Sequence, residues 1–103
     1  MVKLADSVIV GTTAREILIP NKNRTSLTLY NNDSTNVIYL GADIGVTPET
    51  GFPLPPKTPV AYMVGLGDTP EIGLYAVSSG ADTDVRIYEQ YGYDPRKPRP
   101  EGD

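Results

Sequence analysis

Residues 26–31 read S-L-T-L-Y-N. In an extended chain Leu27 and Leu29 fall on one face, and Ser26, Thr28 and Tyr30 fall on the other. Such alternation has period two, the signature of a strand with one buried face. The same pattern recurs along the chain. It predicts strands near residues 7–10, 15–19, 26–31, 36–40, 58–64, 72–78 and 83–90, each rich in Val, Ile, Thr, Leu or Tyr and bounded by Gly, Pro, Asn or Asp. In the last of these, Val85 and Ile87 are expected inward, with Arg86 and Tyr88 outward. The link N-D-S-T at 32–35 is turn chemistry. It is expected to close a hairpin onto N-V-I-Y-L-G, a strand apolar enough to be covered on both faces. About seven short strands without a helical period predict an all-β fold, a small antiparallel β-sandwich of jelly-roll-like or Greek-key type.

Composition agrees. The chain has 103 residues, with ten glycines and ten prolines for its turns, and fits one small domain. The sandwich is expected over residues 1–93. Residues 94–103, D-P-R-K-P-R-P-E-G-D, have no apolar side chain except proline and predict an extended tail. The net charge of −4 favours solubility and argues against a general nucleic-acid or membrane-surface binder. No apolar run approaches the roughly 20 residues of a membrane span. The N-terminus lacks the long apolar core of a signal peptide.

Catalytic equipment is sparse. With no histidine and no cysteine, the commonest general base, the commonest metal ligand, the thiolate nucleophile and any disulfide are all missing. Lys3, Lys22, Lys57 and Lys97 fall in termini, turns or loops, where no burial would depress an amine for a Ser–Lys pair. No phosphate-binding glycine loop is present, and G-L-G-D at 65–68 reads as an inter-strand turn. The carboxylates Asp82 and Asp84, and Asp68 and Glu71, are too few for a calcium shell and read as turn residues. The expectation is a non-enzyme that needs no cofactor.

Binding residues are easier to nominate. The long stretch 41–59 carries Phe52, Pro53 and Leu54 among further prolines. A stiff loop bearing two apolar side chains suits a plug that fills an open end of the sandwich; the other reading is an exposed aromatic anchor for a partner. Of the seven tyrosines, Tyr30, Tyr88, Tyr91 and Tyr93 are candidates for an interface, together with the basic tail residues Arg96, Lys97 and Arg99. A tyrosine-lined groove would instead serve a carbohydrate-binding module of a receptor-binding apparatus, although the chain has no tryptophan for stacking.

The series R24-T-S-L-T-L-Y-N31, V37-I-Y-L-G41, V46-T47, G51-F-P-L54, L74-Y-A-V77 and V85-R-I-Y-E89 resembles small virion structural proteins of tailed bacteriophages and related viruses. The resemblance spans roughly residues 24–89 and leaves the first strand and the tail unmatched. It implies a decoration (cement), head-fibre-base or adaptor protein located in the virion, with capsid or tail proteins as partners. It also implies a homo-oligomer, a trimer foremost.

Overall fold

The computed structural model describes residues 5–63 and 69–91. Among these residues there are eight strands: β1 (Ala5–Val10), β2 (Arg15–Leu18), β3 (Arg24–Asn31), β4 (Ile38–Gly41), β5 (Phe52–Leu54), β6 (Pro59–Met63), β7 (Leu74–Ser78) and β8 (Thr83–Tyr91). They form two antiparallel four-stranded sheets, ordered β1-β8-β3-β6 and β2-β7-β4-β5. Pairing is nested: β1 with β8, β2 with β7, β3 with β6, and β4 with β5. The chain is therefore one long antiparallel ribbon, doubled at the β4–β5 link. It is rolled so that β8 also pairs with β3 and β7 with β4. This is the eight-stranded jelly-roll order.

The inner faces are built by the alternation read from the sequence. Leu27 and Leu29 of β3, Val85 and Ile87 of β8, Ile38 and Leu40 of β4, and Leu74 and Ala76 of β7 are all buried. Val10, Ile17, Leu18 and Leu54 complete the cluster. Tight packing of this kind is what a domain of this size depends on for stability.

Three expectations are corrected. The N-D-S-T link does not close a hairpin, because β3 lies in one sheet and β4 in the other. Both flanks of β3 are already taken by β6 and β8, so the chain must cross to the facing sheet. Turn chemistry specifies a local reversal and is silent about which sheet receives the next strand. The stretch 41–59 is not one loop, since β5 pairs with β4 in its middle. Pro53 is tolerated there because β5 is a sheet edge, where one side of the strand needs no donor. The plug is only half right. Leu54 is 1% exposed and opposes Ile38, but Phe52 is 59% exposed although its register with Leu40 puts it on the same face.

Loop 42–51 folds against β4 through Val46, which is buried. A Cβ at Gly41 would stand 2.6 Å from Val46 Cβ, and one at Gly51 would stand 2.7 Å from Tyr39 Cβ. Both positions need glycine because neighbouring side chains fill that space. Tyr39 is half-buried, so β4 is largely covered on both faces.

Two buried polar residues tie the sheets together at the ends of β3. Arg24 is 1% exposed. A register shift against β8 between Arg24 and Ser26 turns it inward, where strict alternation would have put it outside. Its guanidinium donates to the carbonyls of Ile19 (2.9 Å), Pro70 (3.1 Å) and Ile72 (3.0 Å), and Nε donates to Glu89 Oε1 (2.8 Å). At the other end Asn31 is fully buried. Its amide donates to the carbonyls of Asn36 and Leu54, both at 2.9 Å, and its Oδ1 accepts from the Asp33 N–H (3.0 Å).

Candidate functional site

Across the outer face of the β1-β8-β3 sheet, opposed residues form two rows. One runs Ala5, Tyr88, Thr28; the next runs Ser7, Arg86, Tyr30. Small side chains beside two tyrosines leave a concave groove of about 480 Å³, which Asp6 and Ile87 also line. Strand alternation places the site: the residues that leave Val85, Ile87, Leu27 and Leu29 in the core send Arg86, Tyr88, Thr28 and Tyr30 outward. Tyr88 is 45% exposed, and its hydroxyl accepts from Gln90 Nε2 at 3.4 Å. Ile9 lies further along β1 on the same face and is half-exposed.

Among the described residues Arg86 is the one cation lining the groove. Its Nε donates to Asp84 Oδ2 at 2.8 Å, which fixes the guanidinium plane and leaves its outer edge toward solvent. Asp84 also accepts from Asn32 Nδ2 (3.1 Å). That bond, helped by Arg86, holds the Asp84 carboxyl below its ordinary range despite partial desolvation. Asp33 is likewise lowered, by the backbone N–H groups of Asn36 and Thr35. It shapes the crossover next to Asn31 rather than the groove.

The sheet edges are guarded. β6 begins with Pro59, β5 contains Pro53, and β2 is four residues long with a register shift between Glu16 and Leu18. In β1, the Ser7 N–H is held by the Asp6 carboxylate (2.8 Å) and the Ile9 carbonyl by Arg15 Nη1 (3.0 Å). Occupied or missing backbone groups discourage strand addition.

The sequence-nominated residues separate. Tyr30 and Tyr88 meet in the groove. Tyr91 does not; its hydroxyl donates to Glu89 Oε1 (3.0 Å) and accepts from Asn21 Nδ2 (3.1 Å), extending the Arg24 network. Burial, followed by the adjoining Glu89, pushes its pKa up. Tyr93, Arg96, Lys97 and Arg99 lie outside the described residues. Phe52 stands on the far edge, on the other sheet. Arg86 was read only as an outward residue; its value to the site comes from Tyr30 standing directly opposite on β3, a pairing no local pattern reveals.

Among the described residues no group of three or more acidic, histidine or cysteine side chains could hold a metal ion, and no helix is long and apolar enough to cross a membrane. No protein-family model matches the chain, and neither a curated protein nor a solved structure matches it.

Proposed function

We propose that this protein is a non-enzymatic virion structural protein, a shell-decorating or head–tail-associated component that binds capsid or tail proteins and further copies of itself. The observation that carries the reading is the groove on the outer β1-β8-β3 face, where exposed Tyr88 and Arg86 stand beside half-buried Tyr30 on a sheet whose edges are guarded. Tyrosine and arginine are favoured anchors in protein interfaces. The jelly-roll order supports the reading by analogy, since it recurs in viral capsid domains. The resemblance of residues 24–89 to small phage virion proteins points the same way. The test is to look for a major capsid protein gene among the neighbours of its own gene and to co-sediment the protein with empty shells assembled from that product, alongside native mass by light scattering. The reading expects retention on shells, lost in Tyr88→Ala, and a mass above that of one chain. A strict monomer that ignores shells overturns it.

A second reading has its own support. Two tyrosines, an arginine and the hydroxyls of Ser7 and Thr28 lining one concavity would also suit a sugar, as in jelly-roll lectin domains. A glycan array with a hit abolished by Tyr30→Ala, and no retention on shells, would favour it.

A further inference from the structure

We infer that the outer face of the β1-β8-β3-β6 sheet packs against the same face of a second copy of this chain, with Arg86 of each copy stacked on Tyr88 of the other. This rests on the proposed self-association and names the surface that produces it.

A face that meets its own copy must not set like charges together. Among the described residues the outward positions of this sheet hold one cation, Arg86, and one anion, Asp84. The two are bonded at 2.8 Å, so the face is neutral although the chain carries −4. Around them Ala5, Ser7, Ile9 and Ala61 are exposed, all small or apolar. A strongly acidic or basic partner finds no unmatched charge here; a second neutral face fits. The outer face of the other sheet differs, because loop 42–51 lies on β4 there, with Val46 filling the space beside Gly41 and Gly51.

Register fixes the contacts that two copies make. Tyr88 lies beside Thr28, and Arg86 lies beside Tyr30, so the two tyrosines stand diagonally. Consider a two-fold axis in the interface plane, crossing the strands between these two rows. It lays each row over the other row of the second copy, strand over like strand. Arg86 then faces Tyr88, Tyr30 faces Thr28 and Ser7 faces Ala5, each contact occurring twice by symmetry. Gln90, beyond Tyr88, faces Asp84, before Arg86. No like charges meet. The bond from Nε to Asp84 holds the guanidinium plane, and a guanidinium laid over a tyrosine ring is attractive. The facing strands run antiparallel, within the about 30° that packed sheets adopt. An axis along the strands would set Arg86 over Tyr30 instead. Tyr88 is the better platform, being 45% exposed where Tyr30 is half-buried.

The area sets the strength. Four strands about 4.8 Å apart, and a run of about 20 Å from Asp84 to Gln90, give roughly 400 Å² in projection on each copy. That is the weak end of specific interfaces, so the dimer belongs to the micromolar range. A dimer presents every other surface to a shell twice, so the loss of retention expected in Tyr88→Ala follows from lost bivalency.

Sedimentation equilibrium of the full chain from about 1 to 500 μM tests this. The native chain should pass from monomer to dimer across that range. Arg86→Ala and Tyr88→Ala should each weaken the dimer about tenfold or more, since either removes both stacks. Tyr88→Arg sets arginine against arginine twice and should stay monomeric throughout. Adding an equal amount of Arg86→Tyr should draw it back into dimers, because every arginine in the mixed pair faces a ring. Unchanged melting temperatures verify that the variants are folded. Folded variants that fail to recover on mixing overturn the stacked contact. Dimers lost in Tyr30→Ala but kept in Tyr88→Ala overturn this axis. An oligomer indifferent to Tyr88→Arg overturns the face and leaves self-association standing. A native chain still monomeric at about 500 μM overturns the inference, while retention on shells would stand by itself. A dimer that ignores shells keeps the inference and sinks the virion reading.

Discussion

At the start of β3 a charged side chain is sealed inside the protein, and at its end a neutral amide is. Arg24 gathers three carbonyls and a carboxylate from three segments; Asn31 gathers two carbonyls across the crossover to the facing sheet. Both join one sheet to the other in a protein that has no cysteine for a covalent link. They differ in what each leaves behind when removed. A buried cation belongs to a network that includes an anion, so deleting it strands a partner charge as well as carbonyls. A buried amide leaves only neutral acceptors unmatched.

The largest effect is therefore expected at Arg24. Arg24→Met should lower unfolding free energy by about 3–5 kcal/mol, read from urea midpoints. Arg24→Lys should recover only part of this, because one ammonium cannot reach three carbonyls and Glu89 at once. Asn31→Ala comes next, at about 2–3 kcal/mol, since it unpairs the carbonyls of Asn36 and Leu54 in a dry site. If Asn31→Ala proves the costlier of the two, charge is not what distinguishes the two ends.

The ends should also answer to opposite extremes of pH. Near Asn31 the carboxyls of Asp33 and Asp84 sit below the ordinary value of 3.8. A depressed folded pKa means stability that is present above the unfolded value and drains away as pH falls through the folded one. Near Arg24 the Tyr91 phenol is raised above the ordinary 10.0. A raised folded pKa means stability that is present below the unfolded value and is lost as pH rises through the folded one. Hydrogen exchange should thus show the Ser79 N–H, bonded to the Val37 carbonyl, opening first below about pH 4, and the Asn21 N–H, bonded to the Glu71 carbonyl, opening first above about pH 10. Tyr91→Phe should remove the alkaline response and leave the acid one. Simultaneous opening of both amides at either extreme would mean that the ends are not independent.

The smallest effect is expected beside a full core loss. Leu54→Ala should cost about 2–5 kcal/mol as a cavity. Phe52→Ala, two residues away, should stay within about 0.5 kcal/mol. Equal losses would mean that the ring finds cover, as the loop reading supposed.

Most of the framework could be read from alternation. Seven strand positions, the inward Leu27, Leu29, Val85 and Ile87, and the outward Arg86 and Tyr88 all follow from period two. What escaped were departures from that period and contacts between distant segments. Arg24 has the parity of Ser26, Thr28 and Tyr30, and only the register shift before Ser26 sends it inside. β5 is three residues long with a proline at its centre, below any periodic signal. The crossover after Asn31 and the groove depend on β8 lying beside both β1 and β3, a neighbour relation that no local stretch encodes. Tyr30 and Tyr88 could be nominated singly, but their meeting could not.

The nested ribbon has a further consequence, for the order of events in synthesis. Its shortest closure joins Leu40 to Phe52 and its longest joins Ala5 to Tyr88. Chain-closure entropy rises with separation, so zipping outward from the doubled middle is the least costly route, and such non-local topologies fold slowly. In synthesis β1 is made before its mate β8, with six other strands between them, so it waits longer than β2, β3 or β4 do for theirs. Until then the Asp6 carboxylate on the Ser7 amide is a guard that β1 carries within its own six residues.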